Sequence, residues 1–372
     1  MIERVRASRF VREDLRAAAL PWIASRALVV GALLLSRFLF DEIGRVPGPG
    51  QGLFAWDAAF YREIAEHGYA ALSAESLRFF PLFPLVSRAF GVVFLGNTDV
   101  AVIVVANLAA LVFGALLHRL AVIETGDRAL AVRAAWFGLL FPVGVSLVLG
   151  YAEALGMALA VGMFLALRTK RWAAAGTLGL LAGATRPLGV LLALPALIEV
   201  LPGWPALDLR ARARRLVAVV GPPIGLACFL TYSAIEFGDF LEPLSVQGDP
   251  RLRGGFQDPF TRVVDAARDL LEGDRFGSGS PLLWAILLAG LLYVLARRLP
   301  ASYSWYAGAT LVLGFTAKNL GSYERYAMSA FPFVLGIALL TKRREVERAA
   351  LVVTAAGLVA YSVLAFFGSW VP

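Results

Sequence analysis

Residues 20–40 read LPWIASRALVVGALLLSRFLF, and residues 99–122 read DVAVIVVANLAALVFGALLHRLAV. Each run is at least as long as the roughly 20 residues with which a helix crosses a hydrocarbon core about 30 Å thick. Comparable runs recur almost to the end of the 372 residues, which are 59% hydrophobic and only 17% charged. Soluble domains are roughly 25% charged, so the sequence predicts an all-α polytopic membrane protein.

The basic residues lie in short clusters between the apolar runs. A net charge of +8 spread over one face would indicate nucleic-acid binding, but clustering of this kind is typical of membrane topology. We therefore expect membrane lipids, and no nucleic acid, as partners. The positive-inside rule places residues 1–19 and the later clusters in the cytoplasm. The clusters are Arg4/Arg6/Arg9/Arg12/Arg16, Arg168/Lys170/Arg171, Arg210/Arg212/Arg214/Arg215, Arg297/Arg298 and Lys342/Arg343/Arg344.

Alternation between the two sides of the membrane gives about eleven transmembrane helices in a single domain, residues 1–372. The first apolar run is too long for a signal peptide and is predicted to be a retained helix. The lone cysteine, Cys228, excludes an internal disulfide. Two long loops, residues 41–98 and 238–280, then lie on the extracytoplasmic side, and the C-terminus lies outside as well.

The two outer loops are predicted to contain amphipathic segments. The first loop begins with a Gly/Pro-rich stretch, residues 46–52, and has an amphipathic helix over about 54–67 that Gly68 ends. Residues 79–95 are interrupted by Pro81 and Pro84 and are predicted to lie at the membrane interface. The second loop has an amphipathic segment over about 261–271, and a helix over about 216–237 precedes it.

Three further segments bring polar residues to the outer face. Residues 129–149 and 151–167 are predicted to form two helices joined by an outer turn at 150–153. Residues 172–201 lie between two cytoplasmic clusters and must turn back, and 185–187 are the expected tip. Residues 318–325 form another outer turn. Because ionised groups at membrane depth cost roughly 2.5–3.5 kcal/mol each, their collection on one side suggests a functional cavity.

Asp57 is the candidate general base. It lies in the first turn of the predicted amphipathic helix, where the helix dipole favours an ionised carboxylate that can take a proton from a sugar hydroxyl. Trp56 and Tyr61 beside it are candidate substrate contacts that can lie against lipid. The alternative is that Asp57 only starts the helix and Trp56 only anchors the chain at the interface.

Cations and a second carboxylate complete the candidate site. Arg186, before Pro187, could bind a phosphate with two parallel hydrogen bonds, or it could snorkel or pair with Glu153. Glu153 is either that partner or a carboxylate near the reacting sugar. Lys318 and Arg325 bind phosphate or belong to an ordinary charged turn. His67 contacts substrate or only complements the dipole at its helix end.

The sequence gives no sign of a metal or nucleotide cofactor. No His, Asp or Glu cluster has metal-ligand spacing, and no glycine-rich loop opens a nucleotide-binding fold. We therefore expect neither a metal nor a cofactor, and no nucleotide-sugar donor.

Five segments, in order along the chain, resemble the PIG-V type of GPI mannosyltransferase in the GT-C class of membrane glycosyltransferases. They are residues 56–69 (WDAAFYREIAEHGY), 79–84 (FFPLFP), 150–153 (GYAE), 184–189 (ATRPLG), and 324–326 (ERY) with Phe331-Pro332. The resemblance covers nearly the whole chain, and the first two segments are the most specific.

The resemblance implies a GT-C-like helix bundle and an inverting transfer of mannose from a polyprenyl-phosphate carrier. It places the family's catalytic aspartate on Asp57, and it makes Arg186 and Arg325 the candidates for binding the leaving phosphate. The acceptor would be a lipid, a glycolipid or a protein on the extracytoplasmic side.

The chain departs from the family where serine-rich stretches are replaced by Ala152-Glu153 and Thr185-Arg186-Pro187, so the acceptor stays open. The Ala-, Gly- and Arg-rich composition is typical of a GC-rich bacterial genome and of a bacterial plasma membrane protein. That origin favours a lipoglycan, a phosphatidylinositol mannoside or a secreted protein over a GPI anchor. A polytopic transporter or lipid-linked sugar flippase is the alternative function, which would predict inverted repeats that the sequence does not show.

Overall fold

The computed structural model describes residues 2–42, 52–273 and 280–370, with the side chains of residues 2–10 and 280 excepted. Regular structure in these ranges is helical, apart from an isolated antiparallel bridge between Phe256 and Ala317. Except for Gly52, the Gly/Pro-rich stretch 46–52 lies outside the described residues. The helices are α1 (Ile2–Glu42), α2 (Asp57–His67), α3 (Leu82–Gly91), α4 (Thr98–Thr125), α5 (Arg128–Leu139), α6 (Glu153–Arg168), α7 (Trp172–Gly183), α8 (Ala193–Val200), α9 (Leu209–Phe237), α10 (Glu242–Ser245), α11 (Pro259–Glu272), α12 (Ser280–Arg298), α13 (Ala301–Phe315), α14 (Tyr323–Met328), α15 (Pro332–Leu340) and α16 (Arg344–Phe366).

Several helices have the length and composition of membrane spans. Five are long and apolar enough in the described part of the chain: Val11–Glu42, Thr98–Thr125, Leu209–Phe237, Pro281–Arg298 and Arg344–Phe366. Their large apolar side chains are often more exposed than buried, for example Phe38 at 59%, Ile286 at 61% and Val352 at 68%. An apolar exterior of this kind suits lipid as the surrounding solvent. The protein is therefore an integral membrane protein, and the count of about eleven spans stays a prediction.

The described chain divides into two compact units. The first unit consists of residues 1–66, 83–161 and 337–372, and the second consists of residues 67–82 and 162–336.

In the first unit, α1 packs against α4, α5 and α16. Buried polar contacts join α1 to α4: the Asp14 carboxylate lies 2.7 Å from Nδ1 of His118 and accepts hydrogen bonds from the Arg119 guanidinium. His118 is only 2% exposed, so this ionic contact is shielded from solvent and fixes the register of the two helices. Gly126, at φ +68°, ends α4, and the Asp127 carboxylate caps the start of α5.

The predicted helix over residues 129–149 is wrong in its second half. The helix α5 ends at Leu139, and the chain then runs without α-helix to the start of α6 at Glu153. All but one of residues 140–152 are buried. Pro142 has no N–H to continue a helical ladder, and Gly144 favours non-helical backbone. An apolar run of this length predicts burial, but it does not distinguish a helix from a buried coil.

In the second unit, α7 and α9 approach each other through small residues and prolines. A Cβ added at Gly183 would lie 2.1 Å from the carbonyl oxygen of Pro222, and one at Gly225 would lie 1.9 Å from that of Leu180. Only glycine allows backbones this close, as is common where membrane helices pack through small residues.

The chain breaks between α7 and α8 where the sequence predicts a tip. Arg186 is extended, with φ −158° and ψ 149°, and Pro187 begins a 3-10 turn that leads into α8. A Cβ at Gly189 would lie 2.2 Å from the carbonyl oxygen of Ala182, so the returning chain lies against the end of α7. The prediction of two short helices that meet at residues 185–187 is confirmed.

The amphipathic helices of the predicted outer loops are confirmed with small shifts. The first, α2, begins three residues later than predicted and is followed by Gly68 at φ +77°. The second, α11, begins after Asp258, whose carboxylate accepts from the N–H groups of Phe260 and Thr261. The helix α9 begins at Leu209 rather than 216, because the Asp208 side chain caps it before the arginine cluster.

The contact between α7 and α9 gives a test of the fold. Gly225→Ala would force the two backbones apart, and we expect a loss of stability of at least about 1–3 kcal/mol, measured as a lower Tm of the purified protein. Gly290→Ala is the matched control, because a Cβ there meets nothing within 4 Å. Equal Tm values for the two variants would contradict the close approach of α7 and α9.

Candidate active site in the first unit and an arginine cluster in the second

A turn of unusual backbone precedes Asp57. Gly52 has φ +99° and Trp56 has φ +59°, which is uncommon for a bulky side chain. The Trp56 indole N–H donates to the carbonyl oxygen of Ala365 in α16, at 3.0 Å. Trp56 also packs against the buried cluster that includes Tyr151 and Leu358. The indole is therefore fixed within the unit, and α2 begins at a defined position.

Asp57 is the first residue of α2 and is partly exposed. Its backbone N–H donates to the hydroxyl of Tyr151, at 3.1 Å. This N–H is one of the donors that a helix leaves without an intrahelical partner. Because Tyr151 is fully buried, the hydrogen bond holds the start of the helix against a rigid point of the core.

The segment 150–153 lies directly against the turn before α2. The Gly150 N–H donates to the carbonyl oxygen of Leu53 at 3.3 Å, and a Cβ at Gly150 would lie 2.4 Å from Cγ1 of Val102. Glu153 begins α6 and is 3% exposed. Two motifs that the sequence shows far apart are thus joined, and Glu153 follows two residues after the tyrosine that contacts Asp57.

An arginine inside α1 holds the chain just before this segment. The Arg26 guanidinium donates to the carbonyl oxygen of Leu147 at 2.7 Å and to Oδ1 of Asn107 at 2.9 Å. The Asn107 amide in turn donates to the carbonyl oxygen of Val148 at 3.0 Å. Two carbonyls of the non-helical chain are therefore satisfied by side chains of α1 and α4.

The far end of α2 is held from α3. The Arg88 guanidinium donates to the carbonyl oxygens of Ala65 and Glu66, at 2.6 and 2.8 Å, and a cation there also complements the helix dipole. Tyr61 is buried with its ring against Phe83, at a centroid distance of 5.0 Å.

The titratable side chains on α2, apart from the buried Tyr61, are partly or largely exposed. His67 is the exposed last residue of α2. Arg62 is paired with Glu63 at 2.7 Å. That hydrogen bond, with Asp99 and Glu66 nearby, outweighs partial burial and raises the pKa of Arg62.

In the second unit, three arginines surround one aromatic ring. The guanidinium carbons of Arg253, Arg325 and Arg186 lie 4.6, 4.9 and 5.3 Å from the centroid of Tyr326. Each distance is within the range of a cation–π contact. We call Arg186, Arg253, Arg325 and Tyr326 the arginine cluster. The sequence predicted two of its members, Arg186 and Arg325, and the structure brings them together.

Arg253 is the member that sequence analysis missed. It lies in the loop before α11, where the Asn319 N–H donates to the carbonyl oxygen of Arg253 and the Lys318 N–H donates to that of Gly255. The Gly254-Gly255 pair, with φ +69° and +82°, allows this close pairing and follows the arginine directly. That glycine pair was the one available sign in the sequence that Arg253 is held in place.

Lys318 is held by its backbone rather than by its side chain. Its carbonyl oxygen accepts from the guanidinium of Arg262 at 2.9 Å, and the residue is exposed. The cations on the Tyr326 ring are thus arginines.

The charges in the arginine cluster affect each other. Burial lowers the pKa of Arg253, and the positive charges of Arg186 and Arg325 lower it further, while Tyr326 opposes the shift. Three guanidiniums held together in a partly desolvated place repel each other, so a bound dianion such as a phosphate would relieve that repulsion. Arginine is suited to this role because its planar fork matches phosphate oxygens.

Among the residues that the structure describes, no group of three or more His, Cys, Asp or Glu side chains is placed to hold a metal ion.

Comparison with known proteins gives a family and a fold. A family model described as mannosyltransferase (PIG-V) matches residues 35–236, more than half of the chain. No curated protein gave a significant sequence match.

The chain superposes on the crystal structure of apo ArnT from Cupriavidus metallidurans with a TM-score of 0.50 and 16% identity, covering 95% of this chain and 76% of ArnT. For a second ArnT structure, bound to undecaprenyl phosphate, the TM-score is 0.46 and the identity 16%, covering 92% of this chain and 76% of ArnT. For the Archaeoglobus fulgidus oligosaccharyltransferase, in complex with zinc and sulfate, the TM-score is 0.44 and the identity 14%. The match covers 92% of this chain and 52% of the oligosaccharyltransferase, so the chain spans about half of its length. The likeness to apo ArnT confirms the predicted GT-C-like fold.

The arginine cluster predicts anion binding that depends on Arg253. With inorganic pyrophosphate as the probe, Arg253→Gln should raise the Kd roughly tenfold, because one charge-assisted hydrogen bond is lost. The measurement is the dose-dependent rise in Tm of the purified protein. Arg268→Gln, at an exposed position on α11, is the control that should leave the Kd unchanged. Identical curves for Arg253→Gln and wild type would contradict an anion site in the arginine cluster.

Proposed function

Because the chain belongs to the PIG-V family of mannosyltransferases, we propose that it transfers mannose from a polyprenyl-phosphate carrier to a lipid, glycolipid or protein acceptor. The observation that carries the proposal is the family match over residues 35–236, which contains Asp57, Glu153 and Arg186. ArnT, which has the same fold, is known with undecaprenyl phosphate bound. A lipid carrier of this type is consistent with a membrane protein whose second unit holds three arginines together.

Asp57 acts as the general base in this proposal. Its carboxylate lies at the start of α2, and the N-terminal end of a helix carries partial positive charge. The hydrogen bond from its backbone to Tyr151 and the anchoring of Trp56 fix the direction from which the carboxylate extends. Orientation of this kind is what proton removal by a side chain requires.

The transfer is a single displacement with inversion. The acceptor hydroxyl oxygen attacks the anomeric carbon of the donor sugar, and its proton passes to Asp57. The bond from that carbon to the phosphate oxygen breaks, and the bonding electrons leave with the lipid phosphate. Stabilisation of the negative charge that develops on the phosphate is commonly the largest contribution to catalysis, and arginine side chains such as those of the second unit are chemically suited to it.

The remaining candidates are proposed as substrate contacts rather than as reacting groups. Tyr61 supports α2 from the buried side, and Trp56 fixes its start, so both act on substrate through the position of Asp57 at least as much as by contact. Glu153 and His67 are placed near the two ends of the α2 region. Lys318 offers an exposed cation beside the loop of Arg253.

We further propose that the N-terminus and the basic clusters face the cytoplasm and that Asp57 acts on the extracytoplasmic side of a bacterial plasma membrane. The positive-inside rule supports this arrangement. The transport alternative is motivated by the broken helix at Arg186 and by charges at membrane depth. The position of Arg186 on the Tyr326 ring supports a binding role for that break instead.

Asp57→Asn tests the role of the base. The amide cannot accept the proton, so transfer of radiolabelled mannose from polyprenyl-phosphate mannose to a membrane-lipid extract should fall roughly 10²–10⁴-fold. Glu66→Gln, an exposed acid in the last turn of the same helix, is the matched control and should keep wild-type activity. Both variants should keep the wild-type Tm. Full activity of a folded Asp57→Asn variant would eliminate Asp57 as the base. If wild-type protein moved the carrier lipid across a vesicle membrane without transferring sugar, the transport alternative would be favoured.

Single cysteines test the topology. In a Cys228→Ser background, Ala71→Cys, at an exposed position after α2, should react with a membrane-impermeant maleimide in intact cells. Leu209→Cys, 83% exposed at the start of α9, should react only after the cells are permeabilised. The reverse pattern of labelling would place the active site on the cytoplasmic side.

A further inference from the structure

A second polar site lies in the second unit, apart from the arginine cluster. It is a pocket of about 410 Å³ between the 3-10 turn Ala74–Arg78 and the loop after α10, lined by Ala74, Glu75, Ser245, Val246, Asp249, Arg251 and Leu252. The volume falls in the range of about 300–1,000 Å³ that small-molecule sites occupy. Neither the proposed base nor the proposed phosphate site uses these residues.

The polar groups of the pocket form a planar ion pair with further acceptors beside it. Arg251 donates to Asp249 from Nε at 3.1 Å and from Nη2 at 2.7 Å, and its backbone N–H donates to Oδ1 at 2.8 Å. These hydrogen bonds lower the pKa of Asp249 to about 2, so its carboxylate is ionised at any physiological pH. The Arg251 side chain is 84% exposed, which leaves donor groups that can face a ligand. Glu75 and the Ser245 hydroxyl lie in the same lining.

This combination suits a neutral ring with vicinal hydroxyl groups. A hydroxyl can donate to a carboxylate of Glu75 or Asp249 while its neighbour accepts from the Arg251 guanidinium. Ala74, Val246 and Leu252 offer a small apolar surface for the C–H face of such a ring. Glu75 is paired with Arg78 at 3.7 Å and Asp249 with Arg251, so two carboxylates balance two guanidiniums and the pocket has no excess of positive charge for a phosphate.

One tight turn connects the pocket to the arginine cluster. The N–H groups of Leu252 and Gly254 both donate to the carbonyl oxygen of Asp249, at 2.9 and 3.0 Å. Asp249 and Arg251 line the pocket, and Arg253, two residues later, lies on the Tyr326 ring. The same short segment therefore contributes to both sites and fixes their spacing along the chain.

We propose that this pocket binds the polyhydroxyl headgroup of the acceptor, a sugar ring or a cyclitol with vicinal hydroxyls. The proposal rests on the proposed sugar transfer, because only then does the protein need a second, uncharged substrate. The balanced charge of the pocket favours such an uncharged group, and the phosphate-bearing donor is assigned to the arginine cluster. The acceptor is thereby recognised by its hydroxyl pattern rather than by a charged group.

Direct binding of simple polyols tests the pocket without turnover. Saturation-transfer NMR on the purified protein in detergent, with methyl α-mannoside and myo-inositol as probes, should show binding of at least one of the two to wild type. Glu75→Gln should weaken that binding roughly tenfold, since a hydrogen bond to a charged acceptor is lost. Asp249→Asn should also weaken polyol binding roughly tenfold. Because Asp249→Asn could act only by loosening the 249–254 turn, Glu75→Gln, which lies outside that turn, serves as the independent test. Glu272→Gln, an exposed acid at the end of α11, is the control that should bind as wild type does.

The outcomes separate this proposal from the proposed function. Binding that is absent in wild type, or unchanged in Glu75→Gln and Asp249→Asn, overturns the polyol pocket. In the transfer assay the two variants should raise the acceptor KM roughly tenfold and leave the donor KM unchanged. Transfer with an unchanged acceptor KM would leave the glycosyltransferase assignment intact and reject the pocket. Polyol binding by a wild type that transfers no sugar would support the pocket and reject the glycosyltransferase assignment.

Discussion

The first unit depends on how buried, non-helical backbone is satisfied where water is scarce. Residues 140–152 run without α-helix through the interior, and each carbonyl left alone there would cost several kcal/mol in an apolar medium. Arg26 and Asn107 provide the donors for Leu147 and Val148. A charged side chain within a membrane helix is itself costly. The hydrogen bond from Arg26 to the buried carbonyl oxygen of Leu147 gives a physical reason for its presence.

The contacts of Arg26 and Asn107 also determine the position of the proposed base. Once residues 147 and 148 are fixed, the following Gly150 can lie against Val102 and Tyr151 can reach the N–H of Asp57. The position of a carboxylate on a surface helix is thus determined by polar contacts within the bundle. In the second unit, glycines on α7 and α9 bring two backbones close together, and Gly189 lets the returning chain lie against the end of α7. Between them, Arg186 is extended and half-buried, beside Tyr326.

The sequence predicted the membrane class, the family, the amphipathic helix that contains Asp57 and the break at Arg186, because each has a strong local signal. Apolar runs, a helix-ending glycine and an Arg-Pro pair report directly on backbone and environment. The coil at 140–152 was not predictable, since its residues are as apolar as those of a helix. Arg253 was missed for a different reason: its partners Tyr326 and Gly314 are distant in sequence, and a loop arginine looks the same whether it is solvated or held. By charge alone, Lys318 looked equivalent to the arginines. Only the fold shows that its main chain forms the contacts, through its carbonyl oxygen with Arg262 and its N–H with Gly255.

The hydrogen bond from Trp56 to Ala365 spans 309 residues of sequence. During synthesis the segment around Asp57 leaves the ribosome long before α16 does, and the indole has no such acceptor until that helix has been inserted. The left-handed turn at Trp56, which is unfavourable on its own, is therefore stabilised last. A chain interrupted before α16 would lack the carbonyl oxygen of Ala365, so the turn that positions Asp57 would lose one of its supports.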